Sequence, residues 1–446
     1  MQKFLDKIQR RGGTAMLIGG AVSDSIKGLP IKDWDIEVYG LDLSVIESIL
    51  TEEGRKFDVV GKSFGVLKTF MEVDGEIVDV DLSVPRAENK IGVGHKDFAI
   101  LLDPNMTPTE AGRRRDLTIN SMYRNLHTDE IVDPFNGLED LNKGIIRVTD
   151  EQTFVEDPLR VLRIMQLLPR KGKVVDPKTM ELCQTMVDEF VHLPNERVFE
   201  EFVKLLLKAE KPSLGFEFLK ESGWIIHFPE LNDLIDCPQN PEWHPEGDVW
   251  AHTMLVVDNA AQLRKHLPEE LQLTYMLGAL LHDIGKPATT VLPACTATGH
   301  AEVGAELSLE FMKRLTKDAK LKRDVRQIVK LHMQPGSLFR ADAKVGAWKR
   351  LHNKFRLDVL AWISKADSAG RTGRSIEDVH EVSEKCFELF AEFGASAIEP
   401  IVKGRHLVAM AMTPGPGFKA ILDQAYELQL DGMEEVGAIL KRLELA

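Results

Sequence analysis

Up to about residue 148, apolar residues come in short runs closed off by Gly, Asp or Pro. "AMLIGG" (15–20), "WDIEVYG" (34–40), "FGVLKTFMEV" (64–73) and "EIVDVDLSV" (76–84) predict strands, and "LSVIESILTEEG" (43–54) predicts a helix with a glycine stop. A small mixed sheet with a few helices is the expected result. From about residue 149 the spacing changes to threes and fours, in "DPLRVLRIMQLL" (157–168), "KTMELCQTMVDEFV" (178–191), "ERVFEEFVKLLLKAE" (196–210) and "LGFEFLKESG" (214–223). The rest of the chain is expected to be nearly all helix. "IDCPQNPEWHPEGD" (235–248) is polar and proline-rich and predicts a linker or boundary.

Composition narrows the class. At 446 residues, 43% of them apolar and 28% charged, the chain has material for several cores. No stretch approaches the roughly 20 apolar residues of a membrane span, and "MQKFLDKIQRRGG" lacks the apolar centre of a signal peptide, so no membrane partner and a cytoplasmic location are expected. The four cysteines are scattered without CxxC spacing, which suggests reduced thiols. A net charge of −14 argues against wholesale wrapping of nucleic acid, DNA included, but leaves room for local basic clusters such as "GRRRD" (112–116) and "RKGK" (170–173).

Candidate chemistry begins with "KDWDIE". On an extended segment Asp33 and Asp35 point to one face, where adjacent carboxylates repel unless a cation lies between them. Oxygen ligands suit magnesium, and a pair of such ions activates a hydroxyl and a leaving pyrophosphate. "VDVDLSV" offers a third carboxylate, Asp79 or Asp81, on another strand. Acidic residues at strand ends are also ordinary turn formers. The Gly19–Gly20 pair adds weight, because glycines at a helix start let backbone N–H groups approach phosphates.

The glycine turn and the paired aspartates resemble the nucleotidyltransferase signature. "RRDLTIN" (114–120), "DPFNGLEDL" (133–141), "EDPLRVLR" (156–163) and "ERVFEE" (196–201) extend this in order and spacing to the class II tRNA nucleotidyltransferases, the CCA-adding enzymes, and to the related bacterial poly(A) polymerases. The resemblance implies that Asp33, Asp35 and Asp81 hold Mg2+ and are catalytic. It also implies that Gly19, Gly20, Arg114, Arg115 and Arg163 hold the triphosphate, that Asp116 and Asn120 hold the ribose, and that Asp157 and Arg160 read the base edge. Two departures stand out. The family's GGxVRD has arginine where this chain has Ser23, so a charge contact is missing or supplied elsewhere. "RIMQLLPRK" replaces an Arg-Phe pair followed by small residues, which is expected to change helix packing only.

A second constellation follows. His252, the adjacent pair His282 and Asp283, and Asp367 match the ligand set of the HD phosphohydrolase superfamily, and imidazoles with carboxylates suit a divalent ion such as Mg2+, Mn2+ or Ni2+. His300 and His332 are further candidate ligands or phosphate contacts.

A nucleotidyltransferase head followed by an HD domain resembles the multifunctional branch of CCA-adding enzymes. Poly(A) polymerases typically carry a basic tail instead, and "MEEVGAILKRLELA" is not basic. The expected fold class is α+β: a small mixed-sheet nucleotidyltransferase head (1–148), then an all-helical body made of a neck (149–235), an HD domain (236–375) and a helical C-terminal region (376–446). The expected activity is addition of C, C and A to the tRNA acceptor end from CTP and ATP, with the HD domain removing 3′-end phosphates, by a monomer or homodimer. Rival readings are a poly(A) polymerase, a partial CC- or A-adding enzyme, and an RNA-binding head that serves an HD hydrolase.

Overall fold

The computed structural model describes residues 1–31, 33–60, 65–90 and 98–444. Phe64, the first residue of the extended run expected at 64–73, lies outside the described residues, as do the last two residues of the chain. The chain forms two compact units. One comprises Met1–Leu205 and Leu214–His227; the other comprises Leu206–Ser213 and Phe228–Ala446.

Besides a short parallel pair, Ile145–Ile146 with Val174–Val175, the first unit carries nine strands among its described residues: β1 (Thr14–Ile18), β2 (Trp34–Tyr39), β3 (Phe57–Val60), β4 (Val66–Val73), β5 (Glu76–Ser83), β6 (Arg86–Lys90), β7 (Phe98–Leu102), β8 (Tyr123–Asn125) and β9 (Ile131–Val132). Seven of them form one mixed sheet in the order β3-β4-β5-β2-β1-β8-β9, while β6 and β7 pair as a separate ribbon. Within the sheet β2 runs parallel to β5, and β1 runs antiparallel to both β2 and β8.

Alternation divides the sheet into two chemically different faces. Ala15, Ile36, Val38, Leu67, Met71, Val80 and Leu82 are buried against Phe4, Leu5 and Ile8 of the helix Gln2–Arg10 and Ile46, Ile49 and Leu50 of the helix Leu43–Glu52. The residues between them, Asp35, Glu37 and Tyr39 on β2 and Asp79 and Asp81 on β5, therefore fall on the opposite face. Removing one of these packed leucines or isoleucines would cost roughly 2–5 kcal/mol.

The helical spacing from residue 157 onward is realised in Leu159–Lys171, Pro177–Thr185, Asn195–Lys208 and Ser213–Glu221. The helix expected over 178–191 is shorter than its spacing suggests. It stops at Thr185 and passes into a 3-10 segment, Val187–His192, in which Phe190 stacks on His227 at 4.2 Å and no residue is fully buried.

The second unit is helical. Its principal helices are Val249–Leu263, Glu269–Leu281, His300–Leu315, Ala319–Leu331, Leu357–Ala369 and Glu381–Phe393. Among the described residues no helix is long and apolar enough to cross a membrane.

Candidate active sites

In the first unit the turn after β1 places Gly19 at φ +69°, in the left-handed region that favours glycine, and Gly20 starts the helix Gly20–Ile26. A Cβ on Gly19 would lie 3.8 Å from Nη1 of Arg115, so the turn and that guanidinium are neighbours. Across the sheet, Asp35 of β2 is in register with Asp81 of β5. Asp33, exposed, immediately precedes β2. A cavity of about 200 Å³ is lined by Asp35, Asp81, Ser83, Arg86, Arg114 and Arg115.

The electrostatics of this cavity suit a cation. Burial and the neighbouring Asp81 push Asp35 up to about 6, with Asp33 adding to the effect and Arg115 and Lys68 opposing it. Lys68, directly opposite Asp81 on β4, places its ammonium 3.1 Å from that carboxylate.

Glu37 continues the alternation two residues beyond Asp35 and is fully buried. It accepts a hydrogen bond from Nη2 of Arg114 at 3.0 Å and one from the Tyr39 hydroxyl at 2.7 Å, and Nη2 of Arg115 lies 3.6 Å away. One buried carboxylate thus fixes both guanidinium groups at the cavity wall. Its signal was present in the sequence, since "DWDIE" places three acidic residues on alternate positions.

The ribose and base candidates lie beside this cavity. Asp116 is buried and accepts from its neighbour Leu117 N–H (2.8 Å), Nδ2 of Asn120 (3.1 Å) and Nε of Arg163 (2.6 Å). Burial alone would raise its pKa, but Arg163 and the Asn120 hydrogen bond hold it below the ordinary value. Asp116 and Asn120 do not share a helix: only Thr118–Asn120 forms a 3-10 turn, and Leu117 is extended. Arg163, expected at the triphosphate, has its Nε on Asp116 and is not among the residues lining the cavity. Asp157 and Arg160 sit at the start of the helix Leu159–Lys171. Asp157 accepts from Leu159 N–H, and Arg160 donates to the carbonyls of Thr153 and Arg114.

The charge contact left open by Ser23 is supplied by Lys171, and this corrects the expectation that "RIMQLLPRK" alters packing only. At the end of the helix Leu159–Lys171, the Lys171 ammonium ion-pairs with Asp24 and donates to Oγ of fully buried Ser23 at 2.9 Å. A cation 148 positions away in sequence therefore fastens the helix that follows the glycine turn.

In the second unit the segment 235–248 is a folded wall, not a free spacer. Asp248 caps the helix Val249–Leu263 by accepting from Ala251 N–H and also accepts from Asp236 N–H. Oε1 of Glu246 lies 2.8 Å from Nδ1 of both His244 and His252. These hydrogen bonds tie the polar side chains to the site, so the composition of a linker does not make one here.

The HD candidates converge from helix termini and interiors. His252 lies in the helix Val249–Leu263, His282 caps the end of Glu269–Leu281, and Asp367 lies in Leu357–Ala369. Nε2 of His252 is 3.1 Å from Oδ1 of Asp367 and 3.8 Å from Oδ2 of Asp283, while Nε2 of His282 is 3.1 Å from that same Asp283 oxygen. Gly285 permits this convergence: a Cβ there would lie 2.1 Å from the His300 carbonyl oxygen. Burial lowers the pKa of His252, but its bonds to Asp367 and Glu246 prevail and raise it to about 9. Asp283 is held well below the ordinary carboxylate range, because His282 and Lys286 outweigh its burial. Lys286 donates to Oδ2 of Asp283 at 2.7 Å, and Lys286, Arg340, Arg371 and Trp243 line a cavity of about 530 Å³ over the cluster.

Comparison with known proteins matches both halves. Residues 15–147 match the family described as "Poly A polymerase head domain", residues 174–235 "Probable RNA and SrmB- binding site of polymerase A", and residues 249–361 "HD domain". The chain is 33% identical over 368 residues to the "Multifunctional CCA protein" of Laribacter hongkongensis, covering 80% of this chain and 85% of that protein. It is 32% identical over 376 residues to the protein of the same name from Ralstonia nicotianae, covering 80% and 82%. In fold it is similar to the Bacillus stearothermophilus CCA-adding enzyme in complex with CTP (TM-score 0.68, 19% identity, 99% of this chain and 96% of that one). It is also similar to the Thermotoga maritima CCA-adding enzyme complexed with tRNA (TM-score 0.61, 17% identity, 99% and 92%). A polymerase-type head followed by an HD domain defines the class as a nucleotidyltransferase coupled to an HD hydrolase fold. The chain belongs to the multifunctional CCA protein family.

Proposed function

We propose that this protein adds C, C and A to the 3′ end of tRNA from CTP and ATP, releasing pyrophosphate, and that its HD domain hydrolyses phosphates at 3′ ends, cyclic ones included. The observation that carries the first part is the register of Asp35 with Asp81 in a cavity walled by Arg114 and Arg115. Asp33, Asp35 and Asp81 are the residues to hold Mg2+, since they are oxygen donors whose mutual repulsion a cation relieves. Bound there, the ion supplies polarisation of the attacking 3′-hydroxyl and neutralisation of the leaving pyrophosphate. Arg114 and Arg115, braced by Glu37, grip the triphosphate, and the Gly19–Gly20 turn lets it approach the backbone. Asp116, kept ionised by Arg163, accepts from the ribose hydroxyls together with Asn120. Asp157 and Arg160 are the residues to read the base edge as acceptor and donor, with the Arg160 guanidinium turning from the Thr153 and Arg114 carbonyls it now holds, so side chains select the nucleotide without a template.

In the HD domain His252, His282, Asp283 and Asp367 are the residues to hold a divalent ion, which supplies an activated water. Lys286, Arg340 and Arg371 draw the phosphate into the cavity above it.

The test is extension of a tRNA ending at the discriminator base, with CTP alone, ATP alone, then both. Growth by three nucleotides only with both supports the reading. A two-nucleotide stop or a long A tail would replace it with a CC-adding enzyme or a poly(A) polymerase.

A further inference from the structure

The helices His300–Leu315 and Ala319–Leu331 carry a surface whose charge runs against that of the whole chain. Residues 313–330 hold eight Lys and Arg against two carboxylates, Asp318 and Asp324, in a protein of net charge −14. On the second helix Lys320, Arg323, Arg326 and Lys330 recur at intervals of three and four, so they share one face, while Leu321, Val325, Ile328 and Val329 are buried on the other. Lys320, Arg323 and Lys330 are exposed and Arg326 is half-buried. At the helical rise this row is about 15 Å long. Lys313 of the preceding helix belongs to the same patch. Nε of Arg326 donates to Glu306 at 3.2 Å, and this bond, with the charges of Lys330 and Lys313, holds that carboxyl below its ordinary value.

The carboxylates here are shared among the cations. Asp324 lies 3.3 Å from Lys320 and 3.0 Å from Arg323, and Glu310 lies 2.7 Å from Lys313. Exposed pairs of this kind contribute little and rearrange readily around a stronger anion. The row ends at the HD site. His332, two residues past Lys330, has Nε2 3.8 Å from Oδ1 of Asp283, and Nε2 of His300, the first residue of the other helix, lies 3.3 Å from the same oxygen. Met333 follows and lines the cavity with Lys286 and Arg340.

We propose that the face carrying Lys320, Arg323, Arg326 and Lys330 holds the sugar-phosphate backbone of the RNA whose 3′ end enters the HD cavity. This rests on reading the HD site as a hydrolase of 3′-end phosphates. The occupant is RNA and not a protein because, among the described residues, no large apolar side chain between 313 and 330 is exposed. A protein partner is anchored by aromatic or apolar side chains, whereas phosphates need only cations. Backbone contacts carry no sequence information, which suits tRNAs alike in shape. The HD site should therefore favour a phosphate at the end of a tRNA over the same group on a mononucleotide.

The full chain, with Mg2+, Mn2+ or Ni2+ added in turn, is assayed for opening of two substrates, a tRNA ending in a 2′,3′-cyclic phosphate and 2′,3′-cyclic AMP. Between about 50 and 200 mM salt, kcat/KM for the tRNA should fall roughly fiftyfold and that for the mononucleotide by less than about twofold. Combining Lys320→Ala, Arg323→Ala and Lys330→Ala should lower the tRNA-to-mononucleotide ratio of kcat/KM by about tenfold or more and make the salt slope shallower by about three. Lys320→Arg with Lys330→Arg should keep both. A ratio unchanged in the triple variant, or an equal loss on both substrates, would overturn the RNA-binding face while the HD reading stands. Failure of the unsubstituted chain to open either substrate would overturn the HD reading and this face with it.

Discussion

Asp35 and Asp81 oppose each other across the parallel pair β2 and β5, with Lys68 of β4 3.1 Å from the Asp81 carboxylate. Three strands thus bring two acids and one ammonium to a single row of the sheet.

This arrangement costs the metal-free fold stability at neutral pH. The ordinary value of Asp35 is 3.8 and its value in the fold is about 6, raised by burial and then by Asp81. The fold therefore favours the protonated form, and its stability falls as pH rises from about 4 through about 6. Asp35→Asn is expected to stabilise the magnesium-free protein at pH 7.5 by on the order of 2 kcal/mol while abolishing nucleotide addition. Urea unfolding across pH 4–8 of both proteins checks this, and equal curves would remove the argument.

Lys171 fastens Asp24 and Ser23. Lys171→Ala strands a partly buried carboxylate and should destabilise the protein by roughly 1–3 kcal/mol, with weaker nucleotide binding. Adding Ser23→Arg, which returns a cation beside Asp24, should recover much of the loss. Thermal melts and CTP titration of the single and double variants measure it.

Glu37 lies opposite Met16 and Ser83 on the neighbouring strands and aims two arginines. Glu37→Gln should raise KM for CTP and ATP alike, roughly tenfold, as charge-assisted bonds weaken. A rise for only one nucleotide would place Glu37 in base selection instead.

The two chemistries should separate. Asp283→Asn is expected to end opening of the cyclic phosphate on a tRNA bearing a 2′,3′-cyclic end while leaving CCA addition intact. Because His252 keeps a second proton up to about 9 in the metal-free protein, loading the HD site at pH 7 should release protons, and affinity should rise with pH toward that value. Calorimetry in two buffers of different ionisation enthalpy reports that release.

The sequence made legible what short range determines: the glycine turn, the shared face of Asp33 and Asp35, the switch to helical spacing, and the HD pair. Alternation alone leaves Asp79 and Asp81 on one face, so the choice of Asp81 rests on the family resemblance; its geometric reason is the register of β5 against β2, a pairing across more than 40 residues. Lys171 escaped for the same reason, since only tertiary packing brings it to Ser23. Glu246 and His244 were hidden by composition, as proline and polar residues look alike in a linker and in a hydrogen-bonded wall. Glu37 is legible as the third acid of the alternating row in "DWDIE", on the same face as Asp33 and Asp35.

Nucleotide addition turns on Asp35 and Asp81 facing each other, and comparing Asp81→Asn with Asp79→Asn in single-turnover extension of tRNA by CTP and magnesium tests this. Asp81→Asn should slow the step by on the order of 10²–10³-fold or more, and Asp79→Asn by little. Loss of extension in Asp79→Asn with a normal rate in Asp81→Asn would contradict the account.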